Sequence, residues 1–361
     1  MISNEEWAAR RRDTYARLLV HAEPELGYPL WLTTPTEKLA PKYPHKDIQI
    51  GDVGIVTPHG NFDVFFNICL PENHPMHHQY GVPEGFEQIK LSEKDVEIIQ
   101  DPDYRGCIVT AQSFSGANLE INVTGANPNI VKVKGGMDTE VAVLAVPITG
   151  ADKHDLCDTS VFQMAAMRMG ETWYEFALNK LGWTTMGHDS LYLITGYHKV
   201  VTRGVDAVPS ATTRLNIDVQ YKSDGTATVN HEWGSRPLGS TGDCRRFENG
   251  GVIATGQGSR GQANAQKTYA ISVRGFKIAI NEKTFHSLLP SPSPSKGTGP
   301  IHSTIPSSLQ YRPPIRRIYH PLDKINSILL NQTRHCEIVV THDNMWKDIV
   351  QEVCMPNLPP K

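Results

Sequence analysis

NLEINVTGANPNIVKVKGGMDTEVAVLAV, residues 118–146, alternates apolar and polar positions more regularly than any other run in the chain. Successive side chains of an extended strand lie on opposite faces, so Leu119, Ile121 and Val123 point one way and Glu120, Asn122 and Thr124 the other. The stretch reads as three short strands in succession. In the third, Val141, Val143 and Ala145 alternate with Ala142, Leu144 and Val146, so both faces are apolar, as in a strand covered on both sides. The run therefore passes from the edge of a sheet into its buried middle.

The pattern recurs on either side. Ile55 and Val56, then Phe62, Val64, Phe65, Phe66 and Ile68, flank the turn Pro58-His59-Gly60 and predict a hairpin. A strand is expected over 107–111. Residues 191–195 read as an apolar strand that runs into a charged, turn-like half around His198, Lys199 and Arg203. A second hairpin is expected over 213–233 with its tip at 223–226, and a further strand over 269–280. Helices are fewer. Ser3 and Glu6 form a capping box ahead of Trp7, Leu18 and Leu19, and Phe162, Ala166, Met169, Trp173, Phe176 and Leu181 recur at helical spacing within 158–182. Met164 and Met167 join Met169 in that expected core stripe.

Residues 287–314 are rich in Pro, Ser and Gly, which suits neither helix nor ladder. Beyond them a helix over 322–330, a strand over 337–341 and a short helix near Trp346 are expected. The fold class is α+β: a β-dominated, mostly antiparallel sheet with one major internal helix and a short helical and strand C-terminal extension. The division that follows is a main domain at 1–286, a linker at 287–314 and a docked extension at 315–361.

Of the 361 residues, 20% are charged and 39% apolar, with 29 Gly and 25 Pro, a profile of many turns in a soluble, β-rich chain. A net charge of −3 gives no basic field for nucleic acid. Six cysteines lie scattered without metal-type spacing, the N-terminus has no apolar leader, and no apolar run approaches the roughly 18 residues of a membrane helix. These features point to a reducing, cytoplasmic setting.

Four histidines, His59, His74, His77 and His78, form the densest imidazole group and raise zinc or iron ligation, although a loop imposes no ligand geometry as a helical HxxxH would. His342-Asp343 and His188-Asp189 are adjacent on strand edges, where neighbours face apart. His59, His342 and Asp343 are the candidate catalytic residues, and His74, His77 and His78 the candidate metal ligands. Arg10, Arg11 and Arg12, with Lys132 and Lys134, are the candidate membrane or partner contacts. Residues 256–261 match GxGxxG, yet the βαβ unit that would make it a dinucleotide site is missing from the pattern. No cofactor is favoured.

YPLW (28–31), GDVGIVTPHGNFDVFFNICLP (51–71), HDSLYLITGYHK (188–199), YHPLDKIN (319–326) and IVVTHDNMW (338–346) resemble an uncharacterised protein family of mushroom-forming fungi over nearly the whole chain. That family carries no function to transfer. A second resemblance is topological: a strand run, a helix and then LYLITGYHKVVTRG resembles the order in gasdermin pore-forming domains, where two amphipathic hairpin regions flank a helix. It implies strands that insert in a membrane, with Lys132 and Lys134 lining a lumen. The expected function is a non-catalytic recognition or effector module, gasdermin-like in acting at membranes, with a protein or a membrane as partner. The alternative is a metal-dependent enzyme using the histidines of 59–78.

Overall fold

The computed structural model describes residues 3–32, 47–101, 108–112, 120–123, 130–135, 139–146, 150–200, 204–211, 215–221, 227–234, 245–248, 269–290, 319–332 and 336–347. Helix α1 (Asn4–Ala22) and the two-residue strand β1 (Tyr28–Pro29) precede the hairpin β2 (Asp52–Val56) and β3 (Phe62–Asn67). The strands β4 (Val96–Asp101), β5 (Ile108–Gln112), β6 (Glu120–Val123), β7 (Ile130–Gly135), β8 (Thr139–Ala145) and β9 (Ala151–Leu156) lead to helix α2 (Ser160–Glu175). After it come β10 (Leu191–Val200), β11 (Gly204–Ala211), β12 (Leu215–Tyr221), β13 (Ala227–Gly234), β14 (Arg245–Glu248) and β15 (Tyr269–Ile280). Helices α3 (Glu282–Leu288) and α4 (Pro321–Gln332) and strand β16 (Ile338–His342) close the described chain. The antiparallel, β-rich α+β architecture expected from the alternation is the one observed.

An antiparallel ladder between β10 and β15 is the spine of the body, and both of its edges are shared. On the outer edge of β10, residues Leu191–Leu193 pair with β2 and Gly196–Lys199 pair with β9, with an irregularity between Ile194 and Gly196 where one partner gives way to the other. On the outer edge of β15, Ser272 and Val273 pair with β1 and Phe276–Ile280 pair with β16. Gly196 is required at the changeover: a Cβ there would overlap the carboxylate of Asp155 on β9 and come within 2.8 Å of the His154 carbonyl.

The other strands extend the spine outward. In an antiparallel ladder the two residue numbers of each pair add to a constant, so the sums reveal whether separate ladders share a register. Val96 pairs with Leu156, Ile108 with Ala145 and Glu120 with Lys134, sums of 252, 253 and 254. The six strands from β4 to β9 thus nest as a hairpin of three ladders, each one position out of register with the next. Its returning half then pairs with the outgoing half of a second hairpin: Asp155 with Gly196, Ala145 with Gly204 and Gly135 with Leu215, sums of 351, 349 and 350. The second hairpin closes through β12 with β13 and β10 with β15. Helix α2 sits between the hairpins in the chain.

Ser3 caps α1 as its spacing with Glu6 predicted, accepting the Glu6 backbone N–H at 3.1 Å. The buried face of that helix, Tyr15, Leu18 and Leu19, packs with Val109, Ala142, Leu144, Val205 and Ala207, which covers one apolar face of β8, and Val141 and Val143 on its other face are also fully buried. A larger core lies between α2 and the spine and includes Phe66, Phe162, Ala166, Trp173, Tyr192, Phe276 and Ile278. Gly170 lets α2 approach closely, since a Cβ there would overlap Ile338 and come within 3.1 Å of Ile278. The methionines divide differently from the expected stripe: Met169 packs against the core, whereas Met164 and Met167 are exposed.

Two expectations are corrected. His198 and Lys199 are not in a turn but buried within β10, which continues to Val200. Strands β4 and β9 were not anticipated, because VEIIQD and ADKHDL carry little alternation; they pair with each other at the margin of the body. The C-terminal strand β16 docks on β15, and Trp346 is buried at 2% exposure. Residues 291–314 of the expected linker, and the GxGxxG run, lie outside the described residues.

Candidate functional site

At the outer end of the paired hairpins, β6, β7, β12 and β13 lie side by side in that order. The register sets Val123, Val131, Val219 and Val229 in one row across the four strands, and the next row is Asn122, Lys132, Asp218 and Asn230. Then follow Ile121, Val133, Ile217 and His231, and after them Glu120, Lys134, Asn216 and Glu232. Alternate rows belong to opposite faces of a sheet. One face therefore receives mainly apolar residue types and the other polar types. For Lys132 and Lys134 only the backbone position is described, in the polar rows of β7.

The other basic candidates lie on α1 and are engaged. Arg10 pairs with Glu6 at 3.2 Å, and Arg11 donates through Nε to the Ala207 carbonyl at 3.1 Å with its guanidinium 5.5 Å from the centre of the Trp31 ring. Arg12 is half-buried on the same helix. Arg17 reaches Glu140 on β8 at 2.7 Å, so this face ties the helix to the sheet.

At the inner end, both hairpin roots meet one cation. Arg274 on β15 contacts Asp155 on β9 at 2.6 Å through Nη2 and 2.7 Å through Nε. Its Nη1 donates to the Leu26 carbonyl at 3.1 Å and to His198 Nδ1 on β10 at 2.9 Å. Burial and the neighbouring Arg274 hold His198 well below the ordinary histidine range, so the ring is neutral and accepts. Beside it Lys199 pairs with Asp47 at 2.7 Å and lies 4.0 Å from the centre of the Tyr197 ring.

The pair His342-Asp343 divides as strand alternation predicted. His342 Nδ1 accepts the Asn344 N–H at 3.2 Å, which leaves Nε2–H to donate to Thr195 Oγ1 at 2.8 Å. Burial lowers this imidazole to about 4. Asp343 faces the other way and accepts from the Tyr192 hydroxyl, from the Gly275 N–H at 3.0 Å and from Trp346 Nε1–H at 3.1 Å. Burial pushes its carboxyl up to about 6 in spite of these donors. His320, stacked on Tyr28 at 4.6 Å, stands 3.8 Å from Asp343 and is kept neutral by burial and by Lys277. The arrangement fastens β16 and Trp346 to the spine, and no shared acid-base couple forms from the adjacent pair.

The histidine loop also holds itself. His77 is buried, accepts the Asn67 N–H at Nε2 (3.2 Å) and donates from Nδ1 to the Pro71 carbonyl (3.0 Å). His74 accepts the Met76 N–H at 3.3 Å, and His78 donates to the Asn73 carbonyl at 2.9 Å. His59 is exposed at its turn. Among the described residues no group of three or more His, Cys, Asp or Glu is arranged to hold a metal, and no helix is long and apolar enough to cross a membrane. Sequence reading missed Arg274 and Lys277, although single charges inside the apolar run YAISVRGFKIAI were a usable signal, because charges are buried only with partners. No protein-family model, curated protein or solved structure matches the chain.

These titrations give a pH prediction. Histidines 21, 77, 154, 198, 320 and 342 are all lowered, chiefly by burial, so between their folded values and about 6.5 the unfolded chain binds more protons and stability rises with pH. Asp343 acts oppositely: from about 4 to 6 the folded chain binds the extra proton and its contribution falls as pH rises. With six groups against one, the urea midpoint is expected to climb from pH 4.5 to 6.5. A flat or falling profile would contradict the buried neutral imidazoles.

Proposed function

We propose that the chain is a non-catalytic effector module that acts at membranes through its two long hairpins. The observation that carries the reading is the succession of ladders along the two hairpins: β8 pairs with β11 and β7 with β12, and β7 and β8 together hold 13 described residues and β11 and β12 together 15, where a membrane-crossing strand needs about 9–11. The alternating rows of β6, β7, β12 and β13 supply the apolar-out, polar-in pattern of such strands, whereas β8 is apolar on both faces. Two hairpins flanking α2 also follow the order on which the resemblance to gasdermin pore-forming domains rests. Against the metal-enzyme alternative stand the backbone partners of His74, His77 and His78.

Dye release from phosphatidylcholine vesicles with and without phosphatidylserine tests the reading. Full-length protein at micromolar concentration is expected to release dye. Val131→Arg and Val219→Arg, each a charge in an apolar row, are expected to lower release at least ~10-fold, because a cation on the lipid side of a strand costs about 2–4 kcal/mol near mid-bilayer. Asn230→Arg, in a polar row, should stay within about 3-fold. Absence of release from both vesicle types, or equal loss in all three variants, would refute the proposal.

A further inference from the structure

Beside its buried stripe, α2 carries a second row at helical spacing: Val161, Met164, Ala165, Arg168 and Met169. These residues form one wall of a groove of about 390 Å³, and the segment 86–89 forms the other. Ile68, just past β3, and Trp173 line the same groove and are each 2% exposed, which places them at its base. Phe66 ties that base together, since its ring meets those of Phe86, Trp173 and Phe176 edge-on with centres 5.6–6.5 Å apart. The base is therefore rigid and aromatic, whereas the α2 wall carries the adaptable thioethers of Met164 and Met169. Two charged side chains line the groove, Glu87 and Arg168, and they pair with each other at 2.5 Å from opposite walls. The Gln88 side-chain amide donates to the Cys69 carbonyl at 2.9 Å.

We propose that this groove binds a small, neutral, flat aromatic molecule of one or two rings. Size, charge and wall chemistry each contribute. The volume falls at the lower end of the roughly 300–1,000 Å³ of common small-molecule sites. The charges cancel across the mouth, so an anion competes with Glu87 for Arg168 and a cation competes with Arg168 for Glu87. A neutral molecule disturbs neither. Its ring replaces water against Ile68, Phe86 and Trp173, and the sulfurs of Met164 and Met169 favour an aromatic edge over an alkyl chain. Outside the groove α2 exposes one further large apolar side chain, Met167. The apolar surface is thus gathered in one concavity and not drawn out along several turns, as a partner's helix would need for its anchors. The inference is independent of the hairpins, and failure of dye release leaves it standing.

The test uses the full chain, isotope-labelled at its methionine methyls and followed by NMR, with three probes of one shape at pH 7: tryptophol, tryptamine and indole-3-acetate, neutral, cationic and anionic in turn. Tryptophol is expected to shift the methyl signals of Met164 and Met169 and to leave that of Met186, which lines a separate cavity, in place. Its dissociation constant is expected at about 1 mM or below, and the two charged probes should bind at least ~3-fold more weakly. Glu87→Gln frees Arg168 and should reverse the order of tryptophol and indole-3-acetate. Met164→Asp, at a position 62% exposed where the fold tolerates a charge, should weaken tryptophol at least ~5-fold with Met169 as the reporter. Ala165→Trp fills the groove from α2 and should abolish binding while circular dichroism stays native. Equal affinity for the three probes, shifts confined to other methionines, undiminished binding by folded Met164→Asp, or no saturation at about 10 mM tryptophol would overturn the assignment. So would a dimer in sedimentation that Met164→Asp dissociates, which would give the groove to a second copy of the chain.

Discussion

Asp343→Ala is expected to destabilise the protein by about 3–5 kcal/mol, measured as a fall in the urea-unfolding free energy at pH 7. The carboxylate is the acceptor for three donors, the Tyr192 hydroxyl, the Gly275 N–H and the Trp346 indole N–H, and all three belong to buried residues. Alanine removes the acceptor and keeps the donors. Each is then buried without a partner at about 1–3 kcal/mol, reduced where local water can enter. Asp343→Asn retains one acceptor oxygen in the same shape and should cost only about 1–2 kcal/mol. The isostere also removes the group whose contribution falls with rising pH, so its stability profile between pH 4.5 and 6 should climb more steeply than that of the parent. Equal effects of the two substitutions would show that Asp343 does not act as the acceptor at the junction of β10, β15 and the C-terminal segment.

Arg274→Met is expected to cost about 3 kcal/mol in the same assay and to loosen both hairpin roots together. The cation is the common partner of Asp155, the Leu26 carbonyl and His198, which come from β9, the segment after α1, and β10. Methionine fills the space and leaves Asp155 with only Lys153, 3.2 Å away, as its counter-charge. Because the Asp155 side chain retains 26% exposure, water recovers part of its solvation and the loss falls at the low end of what a broken buried pair costs, about 3–5 kcal/mol. The double variant Asp155→Asn with Arg274→Met should regain at least ~1 kcal/mol over Arg274→Met alone, since the carboxylate that has lost its buried partner is then neutral. Hydrogen exchange supplies the second readout: amides of β9 and of the outer half of β10 should lose protection together. Loss confined to β15 would argue against a shared root.

What could be read from the residues follows from how locally the cause acts. The two apolar faces of Val141 to Val146 announced a strand covered on both sides; Ala142, Leu144 and Val146 cluster with α1, and Val141 and Val143 are fully buried. The Ser3 cap and the buried stripe of α2 were equally local, set by neighbours three or four residues away. His198 and Lys199 misled because their charge suggested solvent, whereas their partners Arg274 and Asp47 lie 76 and 152 positions away. The same holds for Asp343, whose donors come from three separated segments, and for the groove beside α2, where residues 68 to 173 converge. The long hairpins were visible only in pieces. Alternation identifies each strand, but a shared register between β7 and β12 is a relation between segments some 80 residues apart and leaves no mark on either alone.

The shared edges of the spine also set a timetable. Tyr28 in β1 pairs with Val273 in β15, 245 positions later, and β15 gains its other edge partner only when β16 emerges. At about 5–20 residues per second on the ribosome, the N-terminal segment is complete for roughly 12–50 s before its partner strand has been made. During that interval Tyr15, Leu18 and Leu19 of α1 await strands β5, β8 and β11, and Tyr28 awaits β15. Strand β16 thus completes a sheet in which β1 also takes part, so an emerging chain exposes the apolar surface of α1 and β1 until β15 and β16 have been made.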